Sequence, residues 1–156
     1  MYINRKVMIE KNLSISDVSH SSNAMSTLVT STTNQVIPGS TISYTPANNA
    51  SKVVYDFHMQ FHDGGTSHNL SYLQIEHDLV GDGTWTALGA SYRLSDAAVY
   101  SNFQGLSVGR FFLAPWSGSR SLRLIINTYS SSYQNTLHED EAGNHFDPII
   151  KVYSLM

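Results

Sequence analysis

The stretch KVVYDFHMQFH, residues 52–62, decides the fold class. Val53, Tyr55, Phe57, Met59 and Phe61 fall on one side of an extended chain, and Val54, Asp56, His58, Gln60 and His62 on the other. Strict alternation of this kind is the period of a half-buried antiparallel strand. At 3.6 residues per turn the same apolar residues would scatter around a helix. Asp63, Gly64 and Gly65 then turn the chain.

Outward from this strand the same reading repeats. Residues 70–79 predict a strand with Leu73, Ile75 and Leu79 inward. Gly81, Asp82 and Gly83 make a tight turn into Trp85. Strands are expected over residues 97–103 and 108–113, followed by a turn at Pro115, Trp116 and Ser117. Residues 120–129 set Leu122, Leu124 and Ile126 against Arg123, Ile125 and Asn127. A polar, acid-containing loop is expected over 130–145 and a last strand over 146–155. On the other side, Pro38 and Gly39 signal a turn ahead of a short strand at 41–44. Short strands separated by turn residues, with no convincing amphipathic helix after Pro38, predict an all-β sandwich or barrel.

Composition narrows the functions available. A chain of 156 residues suits one domain, and a domain near that size buries roughly 70% of its unfolded surface without staples. There is no cysteine, which removes thiolate zinc sites, disulfides and cysteine nucleophiles together. Charged residues are 13% and the formal net charge is −3. No basic stripe exists, so no nucleic-acid partner is expected. No apolar run approaches the roughly 18 residues of a membrane span, so no membrane partner is expected either. The segment MYINRKVMIEKNLSIS alternates polar and apolar residues without an apolar h-region and does not read as a signal peptide.

Residues 1–36 read differently from residues 37–156. Tyr2 is the sole aromatic before Gln35, and the stretch 12–34 is rich in Ser, Thr and Asn. Such a segment cannot pack a core alone. Yet Ile3, Val7, Met8, Ile9, Leu13, Ile15 and Val18 are more apolar content than a solubilising tail carries. The expectation is an anchoring arm over 1–36, with a short strand near 27–37, that orders when it docks on a partner; the alternative is a strand that completes the domain's own sheet. The domain proper is expected over 37–156.

Few constellations point to chemistry. Gly105-Leu106-Ser107-Val108-Gly109 fits G-x-S-x-G, but that motif needs a strand-to-helix turn, and Arg110-Phe111-Phe112-Leu113 continues as a strand. No catalytic residue is assigned and no enzyme is expected. His58 and His62 share a strand face, but four strand residues separate them by roughly 13 Å, too far for one metal ion without outside ligands from His68 or His77. The acid-rich run His138, Glu139, Asp140, Glu141, His145 and Asp147 reads as a solvated loop. Glu139, Asp140 and Glu141 there are the one Ca²⁺ candidate, and no cofactor is otherwise implied. Trp85, Trp116, Tyr92, Tyr100, Tyr129 and Tyr133 are candidates for core, subunit contact or sugar stacking. Of these, Trp85, Trp116, Tyr92 and Tyr133, with His58 and His62, are the expected interface or ligand residues.

The stretches IPGSTISYTP, SKVVYDFHMQFH, FFLAPWSGSRSLRLIINTYSSSYQNTLH and FDPIIKVYSL lie within residues 37–155. They resemble the trimeric jelly-roll module of tailed-phage virion proteins, cyanophage proteins in particular. The strand plan is similar to the TNF/C1q-like jelly roll. The resemblance implies an antiparallel jelly-roll sandwich, a homotrimer, and a structural role in the phage particle. It brings no catalytic residues. No collagen-like, heptad or repeat shaft is present, which is more similar to a capsid decoration or cement protein that binds the major capsid protein. The alternative it implies is a tail-fibre or tail-associated receptor-binding module that holds a host glycan.

Overall fold

The computed structural model describes residues 28–63, 69–79, 81–96, 104–138 and 148–156. The strands there are β1 (Leu28–Val29), β2 (Gln35–Val36), β3 (Ile42–Tyr44), β4 (Lys52–Asp63), β5 (Asn69–Asp78), β6 (Trp85–Asp96), β7 (Gln104–Leu113), β8 (Arg120–Thr128), β9 (Asn135–Leu137) and β10 (Ile149–Leu155). A single 3-10 turn, Ser131–Tyr133, separates β8 from β9. Its first turn is capped by the Ser130 hydroxyl, which accepts the Ser132 N–H.

In the first sheet β4 is central. β7 pairs along one edge of it, and β10 and then β9 pair along the other, with β1 outside β9. In the second sheet the order is β6, β5, β8, and the far edge of β8 is shared by β2 and β3. Every pairing is antiparallel. From β4 onward the chain passes to the second sheet for β5 and β6, back for β7, across for β8, and back for β9 and β10. That repeated crossing makes the sandwich a jelly roll.

Alternation drives this architecture. Val53, Tyr55, Phe57 and Met59 of β4 point inward and are fully buried. Val152 and Ile150 lie beside Tyr55 and Phe57 in register. Leu73 and Ile75 of β5 and Leu122, Leu124 and Ile126 of β8 supply the opposing layer. Several polar groups inside the sandwich are paired, as burial favours. The Tyr55 hydroxyl donates to the Ser40 carbonyl at 2.5 Å. Burial pushes that phenol well above its ordinary pKa, with the hydrogen bond to Ser40 opposing. The Tyr44 and Ser154 hydroxyls meet at 2.8 Å. The Ser40 hydroxyl donates to the Ile37 carbonyl and accepts the Leu124 N–H, which ties the Pro38-Gly39 turn to β8.

Several expectations are corrected. The folded unit does not begin at Ile37: β1 pairs with β9, β2 pairs with β8, and Thr30 is buried. Leu79 is 47% exposed rather than inward. The reason is that β5 ends at Asp78, whose carboxylate accepts the N–H groups of Gly81 and Gly83 at 2.7 and 2.9 Å and starts the turn one residue early. β6 occupies a stretch for which alternation gave no strand. The register shifts between Leu73 and Ile75, and Gly89 opposite has φ +73°, a bulge that breaks the period. β9 lies inside the expected polar loop. The strand expected over 97–103 lies outside the described residues.

Candidate functional site

The register sets three rows of residues across the first sheet. Val54 lies between Phe112 and Tyr153, Asp56 between Arg110 and Lys151, and His58 between Val108 and Ile149. Val54 is fully buried although it faces outward. Phe112 beside it is 62% exposed. Asp56 is buried as well and takes both arms of the Arg110 guanidinium, at 2.6 and 2.9 Å. That two-pronged geometry gives the pair direction as well as charge. It raises the Arg110 pKa, through the hydrogen bond first and the Asp56 charge second. This outer face is therefore apolar in its Val54 row, with the Asp56–Arg110 ion pair and Lys151 in the row beside it.

The outer face of the second sheet is built differently. Tyr72 lies between Asn127 and Arg93, and Gln74 lies beside Ile125. Tyr72, Gln74, Ile125, Asn127 and Tyr129 line a cleft of about 390 Å³ together with Thr32, Asn34, Ser91 and Thr128. Asn127 Nδ2 donates to Asn34 Oδ1 at 2.5 Å, and Gln74 Nε2 donates to the Gly89 carbonyl at 3.2 Å. Tyr129 is 66% exposed and its ring lies 6.4 Å from that of Tyr133. Alternation had already put Asn127 outward, but not the adjacency of β5 and β8 that makes a cleft of it with Tyr72 and Gln74.

A second cleft, about 370 Å³, opens between the edges of β6 and β7 and is lined by Leu88, Phe111, Phe112, Pro115, Trp116 and Arg120. Trp116 meets Tyr44 edge-on at 6.2 Å and carries Arg120 over its ring at 5.3 Å. Its indole N–H is buried without a partner.

The expected site residues do not converge. Trp85 stands on the second sheet with the Arg123 guanidinium 3.9 Å above its ring, and Trp116 packs against the core. Tyr133 lies beside Tyr129. The Tyr92 side chain, Tyr100, His68, the arm residues Ile3, Val7, Ile9, Leu13, Ile15 and Val18, and the Ca²⁺ candidates Glu139, Asp140 and Glu141 lie outside what the structure describes. His58 and His62 belong to the first sheet and His77 to the second, so His77 does not join them. His77 is instead buried beside Arg120, whose NH1 lies 3.4 Å from its Nδ1. Burial and then the Arg120 charge lower its pKa, with Asp78 opposing. Among the described residues no group of three His, Cys, Asp or Glu could hold a metal ion. His138, expected in a solvated loop, is fully buried. Ser107 pairs with Met59 in the middle of the β4–β7 ladder, so the G-x-S-x-G stretch is strand and not a nucleophile turn. Its second glycine has a packing reason: a Cβ on Gly109 would come within 2.9 Å of Leu73 Cδ2.

No family model matches the chain, and no curated protein matches it. Among solved structures it is similar to the C-terminal domain of EclA, a sugar-binding protein, at a TM-score of 0.37 and 12% identity, over 90% of this chain and 83% of that one. A likeness at that level carries no argument about ligand or role.

Proposed function

We propose that this protein is a virion structural protein of the shell-decoration type, a homotrimer that associates through the outer face of its first sheet. The observation that carries the self-association is Phe112, 62% exposed beside the buried Val54 and the ring of Tyr153. A large exposed apolar side chain on a flat sheet face favours burial against a protein surface. The Arg110 guanidinium, half exposed, compensates the buried Asp56 carboxylate in the next row, so that carboxylate does not oppose the burial. Closed cyclic symmetry covers such a face on every copy at once. The phage role follows from the sequence resemblance, and in this reading the segment before β1, residues 1–27, supplies the anchor to the shell through its apolar residues.

The test uses particles stripped of this protein and the purified chain with and without residues 1–22. The full chain should rebind at a fixed copy number per shell. The shortened chain should melt at the same temperature and fail to rebind. Rebinding of the shortened chain at full occupancy would overturn the anchor. Failure of the full chain to rebind would overturn the decoration role.

A further inference from the structure

We propose that the cleft on the outer face of the second sheet binds a neutral oligosaccharide. The inference goes beyond self-association and does not depend on it, because the cleft lies on the opposite side of the sandwich from Phe112.

Charge decides the class of ligand first. The cleft lining carries no Asp, Glu, Lys, Arg or His. The nearest charges on the same face lie outside the lining. Arg123 binds Glu76 at 2.8 Å and covers Trp85, and Arg93 donates to the Tyr72 hydroxyl. A cationic ligand would give up its hydration here and meet no counter-charge in the lining, and an anionic one would meet only Arg93, beside Tyr72 and outside the lining. A neutral ligand loses nothing by that.

The lining chemistry decides the rest. Side-chain amides present a donor and an acceptor in one group, which is what vicinal sugar hydroxyls need. Three of these amides are already held in place. The Asn127–Asn34 bond fixes that pair and leaves the Asn127 carbonyl and the Asn34 amino group for a ligand. The bond to Gly89 holds the Gln74 amino group and directs its carbonyl oxygen the other way. Side chains fixed beforehand lose little rotamer entropy on binding. Tyr72 and Tyr129 add ring faces for the apolar C–H side of a pyranose, and hydroxyls at their tips. The Ile125 floor is buried and supplies no charge. An apolar peptide would fit this lining badly, because it would bury the amides without partners. The volume falls within the roughly 300–1,000 Å³ usual for small-ligand sites.

The test is an array of neutral oligosaccharides (glucose-, galactose-, mannose- and N-acetylglucosamine-based) printed beside their sialylated and sulfated counterparts, probed with the full chain. Binding to a neutral member is expected, with the affinity changing less than about twofold between about 0.05 and 0.5 M salt. Tyr129→Ala and Asn127→Ala should each weaken it by about tenfold or more, a loss of about 1.4 kcal/mol per decade. Tyr129→Phe should keep most of it. Trp85→Ala, on the same face but outside the cleft, should leave it unchanged. Melting curves for each variant separate lost binding from lost folding, and Tyr129 is exposed enough for its truncation to fold. The absence of any neutral ligand on the array would overturn the proposal. So would binding confined to anionic glycans, or binding that survives Tyr129→Ala and Asn127→Ala together.

Discussion

The imidazole of His138 is fully enclosed, edge-on to Phe57 at 6.2 Å, and neither ring nitrogen has a hydrogen-bond partner. Its backbone sits at φ +65°, in the left-handed region. Burial pushes its pKa down from 6.5 to about 4. The sign of the consequence follows. Above pH 6.5 the ring is neutral in both states and pH has no effect through it. Below that the unfolded chain takes up a proton that the folded chain refuses, so stability falls as pH drops toward about 4 and levels off beneath it. The loss across that window is about 3 kcal/mol, at about 1.4 per pKa unit. Urea melts at pH 7 and pH 4.5 should show a smaller acid loss in His138→Leu than in the parent chain. Equal losses would mean that another group carries the acid sensitivity. Nothing in the run HEDEAGNH distinguishes this histidine from the other residues of the run. Its burial comes from β9, which brings residue 138 back against β4, where its N–H bonds the Gln60 carbonyl.

At the scale of elements, β4 was legible because one of its faces belongs wholly to the core. Phe57→Ala should lower stability by roughly 3–5 kcal/mol, since the side chain is central and has no solvent to retreat to. A thermal melt unchanged within error would contradict the face assignment. β6 was not legible, because the bulge at Gly89 shifts its period midway. β9 was not, because Asn135, Thr136 and Leu137 are too few to show a period and their pairing partners are distant in sequence. The candidate site was legible only in part. Alternation put Ile125 and Asn127 outward, but the cleft requires β5 beside β8 and β2 beyond it, which only long-range pairing decides. The same long-range pairing makes the arm boundary testable. Deleting residues 1–36 removes β1, β2 and the buried Thr30, whose hydroxyl accepts the Asn135 N–H. That truncation should unfold or strongly destabilise the domain, whereas deletion of residues 1–22 leaves these contacts in place. Equal melting temperatures for the two truncations would show that β1 and β2 are dispensable.

At the scale of the whole molecule, the two outer faces differ in chemistry. One holds an apolar row beside the Asp56–Arg110 pair, and the other holds a cleft whose lining is uncharged and rich in amides and tyrosines. Single apolar side chains scattered on a surface need no explanation, but Phe112, Val54 and Tyr153 form one row. The central claim is that this row is covered by further copies of the chain. Light scattering coupled to size exclusion, on the full chain at micromolar concentration, tests it most directly. The account predicts a mass three times the 17.3 kDa of one chain, and a single-chain mass with an unchanged melting profile for Phe112→Asp. A single-chain mass for the unaltered protein, or an unaltered assembly in Phe112→Asp, would contradict it.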